Sequence, residues 1–179
     1  MWAKLVAAHE QTRAHLHDGG VPEHRPRAAV LSCSDARVPP SVIFDQPPGS
    51  LFVVRIAGNT ATPAALASLD YAVEHLGVEL VVVLGHTSCG AVAAAMAGQC
   101  QGAAQPITEP ICELVARHPE DDADRISARN VEVTVADLVA HRGATGLAAR
   151  SGRVQIRGAL HDLRTGRLEP VGSVDHAFG

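Results

Sequence analysis

AVLSCSDARV, residues 29–38, is the stretch whose reading decides the fold. It opens as a bare apolar run, Ala28–Leu31, and then changes character to present Cys33, Asp35 and Arg37. Apolar residues in unbroken succession describe a strand buried on both faces, the pattern of a parallel sheet. The polar residues that follow then fall at its carboxyl end.

Two similar runs lie further along, LFVV at 51–54 and LVVVL at 80–84. The second passes into Gly85-His86-Thr87-Ser88 and Cys89, where an Ala-rich helix is expected to about Ala97. Between the runs, Thr62-Pro63 is a good helix start, a capping hydroxyl followed by Pro in the first turn. That helix is expected to reach Leu76, with Leu66, Leu69, Val73 and Leu76 on one face and Gly77 as its stop. Further helices are expected at 109–117 and 124–141, and a terminal hairpin at 154–163 and 167–171 around Arg164-Thr165-Gly166. Residues 2–17 read as an amphipathic helix ended by Asp18-Gly19-Gly20. The sum is an α/β domain covering residues 1–179, with residues 1–20 as an N-terminal helical arm. Its mainly parallel central sheet has about four parallel strands plus a C-terminal antiparallel one, flanked by helices.

Composition narrows the function. A chain of 179 residues with 46% hydrophobic and 19% charged content is one folded domain rather than a disordered segment. Aromatic residues are only 3%, so Ala, Val and Leu must fill the core. A net charge of -4 with no Lys/Arg block excludes a nucleic-acid track; the densest basic patch is His24-Arg25-Pro26-Arg27. No apolar run reaches membrane-spanning length, and the first residues lack a signal-peptide pattern, so a cytoplasmic protein is expected. Without export, the four cysteines, Cys33, Cys89, Cys100 and Cys112, need no disulfide staples, and metal binding by some of them is favoured.

In open α/β sheets ligands gather at the carboxyl ends of strands, where connections diverge. Cys33 and His86 both follow predicted strands, so two half-sites distant in sequence are placed to meet. Two thiols and one imidazole form the ligand set of an open zinc site, with Asp35 or a water as the fourth ligand. Cys89, at a helix start, has its thiolate favoured by the helix dipole and free amides. Singly each piece is weak: an HxxC pair is often incidental, and a lone Cys after a strand is often core. The conjunction at strand ends carries the argument. The other histidines (His9, His15, His17, His75, His118, His141, His161 and His176) read as solvated side chains on helix faces and ends.

Cys33-Ser34-Asp35-Ala36-Arg37 followed by Gly85-His86-Thr87-Ser88-Cys89-Gly90 closely resembles the β-class carbonic anhydrases. The resemblance runs through residues 25–59, 69–91 and 158–171, nearly the whole chain. It implies zinc on Cys33, His86 and Cys89, and reversible hydration of carbon dioxide to bicarbonate and a proton. It gives Asp35 and Arg37 the catalytic roles: Asp35 accepts a hydrogen bond from the attacking water, and Arg37 keeps that carboxylate ionised and oriented. It also implies a homodimer or an assembly of dimers, active sites near the interface, and an N-terminal helix that reaches a neighbour.

By position the resemblance marks Phe52, Ala57 and Tyr71 as lining the carbon dioxide pocket, some from the partner, with Gly90 and Asn59 shaping its backbone. There are departures. His24 stands where many members carry Gln, and makes a pH-dependent substrate contact the expectation there. Val30 stands where allosteric members place Trp, which favours the open form of the site. Ala36 replaces a common Ser, and Ile56 a common Asn. Alternatives of different kinds are hydrolysis of carbon disulfide or carbonyl sulfide on the same scaffold, and a non-catalytic zinc-dependent oligomer. The Asp35–Arg37 pair argues against the last, since a structural ion has no use for it.

Overall fold

The apolar runs at 28–32, 51–55 and 80–86 pair with one another before anything else does, because a strand buried on both faces must satisfy its backbone in a ladder. The computed structural model describes residues 1–16, 21 and 23–172. Its strands are β1 (Ala28–Ser32), β2 (Leu51–Arg55), β3 (Leu80–His86), β4 (Gln155–His161) and β5 (Leu168–Pro170). They form one sheet of order β2-β1-β3-β4-β5, parallel throughout except for the antiparallel β4–β5 pair. This is the four-plus-one sheet expected from the sequence.

The helices are α1 (Trp2–Leu16), α2 (Pro40–Ile43), α3 (Pro63–His75), α4 (Gly90–Met96), α5 (Gln105–Arg117), α6 (Ala123–Ala140) and α7 (Ala144–Arg150). Thr62 caps α3 through its hydroxyl, which accepts from the amide of Ala65, and Pro63 occupies the first turn. Asp122 caps α6 in the same way, accepting from Arg125 N at 2.9 Å.

One face of the sheet (Ala29, Leu31, Val54, Val81, Val83, Ile156) packs on Leu69 and Val73 of α3, Val131, Val135 and Leu138 of α6, and Ala148 and Ala149 of α7. Fully burying side chains such as Leu69 and Leu138 contributes about 1.5–3 kcal/mol each. The opposite face is covered more lightly: Val30, Leu84 and Ala159 meet Ile43, Phe44 and Leu51. A third cluster at the carboxyl edge joins Cys33, Val38 and Cys89 to Val92, Ile111, Leu114 and Ile126.

Four expectations change. Helix α5 begins at Gln105 rather than 109, with Pro106 in its first turn and Pro110 within it. Pro110 lacks the N–H that would bond back one turn, so the sequence pattern resumes only after it. Helix α7 has no counterpart among the expected elements, because seven residues carry too little periodicity to register. Helix α1 forms, yet its residues 2–12 are all exposed, so this part of it shows no buried stripe within the chain; its expected stop at Asp18-Gly19-Gly20 lies outside the described residues. Finally, Cys100 and Cys112 are joined in a disulfide, with Cα atoms 6.1 Å apart, where the sequence suggested that none was needed. The packing of α4 against α5 brings the two thiols together, and spacing alone does not reveal it. Such bonds are rare in reducing compartments, so this one pulls against the cytoplasmic expectation. Among the described residues no helix is long and apolar enough to cross a membrane.

Candidate metal centre

The strand order places a divergence between β1 and β3. The chain leaves β1 towards β2 on one side and leaves β3 towards β4 on the other. Crevices open at such points beyond the carboxyl ends of the strands. Register does the rest. Ser32 pairs with Leu84, which sets Cys33 level with Gly85 and one step from His86. Cys89 follows after a turn and stands as the N-cap of α4.

Cys33, His86 and Cys89 are 4%, 1% and 3% exposed, and their ligand atoms all lie within 4.8 Å of one another. The imidazole is oriented from behind, its Nδ1 lying 2.9 Å from the carbonyl of Thr87. A carbonyl can only accept, so Nδ1 carries the proton and Nε2 is left with a free lone pair to offer a metal. That Nε2 is buried and has no hydrogen-bond partner. An orphaned buried nitrogen between two thiols is what a divalent ion would satisfy.

The protonation pattern agrees. A hydrogen bond from Cys89, against the effect of burial, and the neighbouring His86 hold the Cys33 thiol well below its ordinary value; the amide of Gly58, 3.3 Å from its sulfur, adds to this. Cys89 is pushed up by its hydrogen bond to Cys33, then by burial. Burial opposes charge on His86, yet Cys33 and the Thr87 carbonyl raise it. Two sulfurs thus share one proton, and their charge favours a cation beside Nε2, a place a zinc ion would take.

Asp35 faces this cluster, with Oδ2 3.9 Å from His86 Nε2. Arg37 grips it as a fork: Nε donates to Oδ1 at 2.9 Å and Nη2 to Oδ2 at 2.6 Å, while the Arg37 amide donates to Oδ1 at 2.9 Å. The Arg37 side chain is the main reason that the Asp35 carboxyl lies well below the usual carboxylate range. Both carboxylate oxygens are therefore engaged by Arg37.

Several residues that hold this arrangement carry no sign of it in the sequence. Arg55, at the end of β2, donates to the carbonyls of Cys33, Asp35 and Val38 and so fixes the whole 33–38 loop. Gly58 has φ +65, and a Cβ there would stand 2.8 Å from Ile111 Cδ1, so only glycine brings its amide to Cys33. Asn130 of α6 holds the Gly58 carbonyl at 2.6 Å. By composition and spacing none of these stands out: LFVVR and IAGN read as a strand and a loop, and the family resemblance, which covers both, gives Arg55 and Gly58 no role.

The residues assigned to a substrate pocket divide. Ala57 belongs to the 3-10 turn Ala57–Asn59, next to Gly58 and its amide contact with Cys33. Asn59 is buried with φ +47. Gly90 opens α4, and an added Cβ there would meet nothing within 4 Å. Phe52 is elsewhere: it pairs with Ala29, four residues before Cys33, or about 13 Å along the strand at roughly 3.3 Å per residue. It stands in a row of rings, with His24 at 6.4 Å and Tyr71 at 6.2 Å between centroids, and His75 5.0 Å beyond Tyr71. His24, Phe52 and Tyr71 are thus grouped together, away from the cluster of their own chain.

Two histidines expected to be solvated are not free. His141 Nε2 lies 2.9 Å from Asp70 Oδ2, and His161, which pairs with His86 across β3 and β4, has a buried Nδ1.

A parallel α/β sheet with a buried Cys–His–Cys cluster at its divergent carboxyl edge has the ligand set of an open metal site. Comparison with known proteins makes this specific. The family model described as carbonic anhydrase matches residues 28–168. A relative from Mycobacterium tuberculosis named carbonic anhydrase 2 is 38% identical over 151 residues, covering 80% of this chain and 73% of its own. A Pseudomonas aeruginosa carbonic anhydrase is 29% identical over 182 residues, covering 93% and 82%. Among solved structures, one of the tetrameric β-carbonic anhydrases of Sordaria macrospora superposes with TM-score 0.77 at 27% identity, over 96% of this chain and 91% of that one. The Coccomyxa β-carbonic anhydrase, solved with acetazolamide, gives TM-score 0.74 at 25% identity, over 96% and 84%. This chain belongs to the carbonic anhydrase family, and within it to the β class.

Proposed function

We propose that this chain hydrates carbon dioxide reversibly to bicarbonate and a proton, with zinc held by Cys33, His86 and Cys89. The observation that carries the reading is the bare, buried Nε2 of His86, set beside two thiols and facing a carboxylate that Arg37 keeps ionised. Zinc, when bound, supplies a Lewis acid that lowers the pKa of water from about 15.7 towards neutrality. Asp35 Oδ2 accepts a hydrogen bond from the reacting water and so aims its free lone pair at the carbon of carbon dioxide. Arg37 is permanently charged and cannot take that proton itself; its fork fixes the plane of Asp35 and keeps the carboxylate turned to one side. A structural four-ligand site would have no use for such a couple.

The working unit is a homodimer or an assembly of dimers. Residues 2–12 of α1 are exposed throughout, Trp2 by 77% and Leu5 by 58%, and a lone helix of 15 residues is marginal in water. A neighbour gives it something to pack on. The row of His24, Phe52 and Tyr71, set away from its own Cys33, is free to line the substrate pocket of that neighbour beside its Ala57 and Gly90 positions. The tetrameric state of the Sordaria macrospora relatives supports this.

Stopped-flow carbon dioxide hydration, with zinc content measured on the same samples, tests the proposal. Zinc-loaded protein should be active, and Asp35→Ala should keep its zinc yet lose about a hundredfold or more at neutral pH. Protein stripped by a chelator and still as active as the loaded form would overturn it.

A further inference from the structure

The turn from Gly85 to Cys89 carries two of the three proposed zinc ligands, and it passes through a residue ill suited to its backbone. Ser88 has φ +55, in the left-handed region that side-chain-bearing residues rarely adopt. Both polar groups of its backbone are held from outside the turn. Its amide donates to Asp124 Oδ1 at 2.8 Å, and its carbonyl accepts from Arg37 Nη2 at 3.2 Å. Asp124 stands in the first turn of α6, and its other oxygen accepts from Arg164 Nη2 at 3.4 Å. Thr87, one residue back, is fixed separately: its amide donates to His161 O and its hydroxyl accepts from Leu163 N, both at 3.0 Å. Neither of these two contacts reaches the peptide group that joins Thr87 to Ser88. Its carbonyl accepts from His86 Nδ1, and Asp124 holds its amide.

The geometry points to Asp124 as a positioning residue of the metal centre. By keeping Ser88 in its left-handed turn, it sets where the Cys89 sulfur meets Cys33 and His86, and it presents the Ser88 carbonyl to the guanidinium that orients Asp35. One side chain on α6 thereby tunes both the ligand set and the catalytic couple without touching either. Asp122 already caps α6, so the helix start does not need Asp124 for that purpose. An acid in the first turn would still favour the helix through its dipole. The competing role is therefore a purely structural one, and the test must separate the two.

The inference rests on zinc being held by Cys33, His86 and Cys89. Zinc dissociation constants by chelator competition, with kcat and KM from stopped flow at saturating zinc, should be measured for the full chain and three variants. Asp124→Ala should weaken zinc at least tenfold and lower kcat more than it changes KM. Asp124→Asn keeps Oδ1 as an acceptor and should stay within about threefold of the parent. Asp124→Ala combined with Ser88→Gly should recover most of the lost affinity, because glycine takes a left-handed turn unaided. If Asp124→Ala will not fold alone, a double variant that folds and binds zinc supports the same role for Asp124. Asp124→Ala with lower thermal stability but unchanged zinc affinity, or a double variant that recovers nothing, would sink the idea. An unmodified chain that binds no zinc would instead remove the reading beneath it.

Discussion

At the scale of single residues, the centre depends on which side of each donor is already engaged. His86 is turned by the Thr87 carbonyl, Cys33 by the Gly58 amide, and Asp35 by the fork of Arg37. Arg37→Lys keeps the charge but loses the two-pronged grip, and should lower kcat/KM at least tenfold with zinc still bound; a change under twofold would show that charge alone suffices. A second residue pair gives a prediction in pH. Burial opposes ionisation of Asp70, but the amide of Thr145 and then His141 lower its pKa below the ordinary value. A carboxyl depressed on folding stabilises the protein above its unfolded value of about 3.9, and that contribution fades as pH falls through the folded value. Urea unfolding of Asp70→Asn should therefore show lower stability than the parent at pH 7 and a shallower loss below about pH 4. Parallel curves for the two proteins would contradict this.

At the scale of elements, two connections stand out. The capping carboxylate of Asp122 is replaceable only at a cost: Asp122→Ala should lower the unfolding free energy by about 1 kcal/mol in urea, without affecting zinc content. The Cys100–Cys112 bond ties the segment after α4 to the second turn of α5, and both helices pack on the cluster around Cys33 and Cys89. Closing a short loop of this kind stabilises a fold by roughly 2–3 kcal/mol. Changing both residues to Ser should lower stability by about that amount, and thiol titration of denatured, unreduced parent protein should find Cys33 and Cys89 alone. Four reactive thiols per chain would show that the bond does not form under the conditions of expression. Sequence reasoning placed α3 and α4 well because capping and apolar spacing are local. It placed α5 and α7 poorly because a proline or a short length hides the period.

At the scale of the whole molecule, the exposed length of α1 and the separated ring row make one chain look incomplete. Deleting residues 1–16 should shift the sedimentation of the protein towards a monomer and reduce activity with it, if the neighbour's rings complete the pocket. Undiminished activity in a monomeric truncation would place the full site within a single chain.

What the sequence determined alone was the material of the site and the kind of sheet that carries it. Short unbroken apolar runs bounded by turn residues read as strands buried on both faces, and polar residues after such strands gather at one edge of a parallel sheet. Cys33, His86, Cys89, Asp35 and Arg37 were legible for that reason. What tertiary structure decided was everything that depends on register and on contacts between elements. The strand offset sets Cys33 beside His86, Arg55 gathers three carbonyls of a loop more than fifteen residues away, and Asp124 reaches back to Ser88. Hydrogen bonds between residues distant in the chain leave no periodic mark, since their partners are chosen by packing and not by spacing.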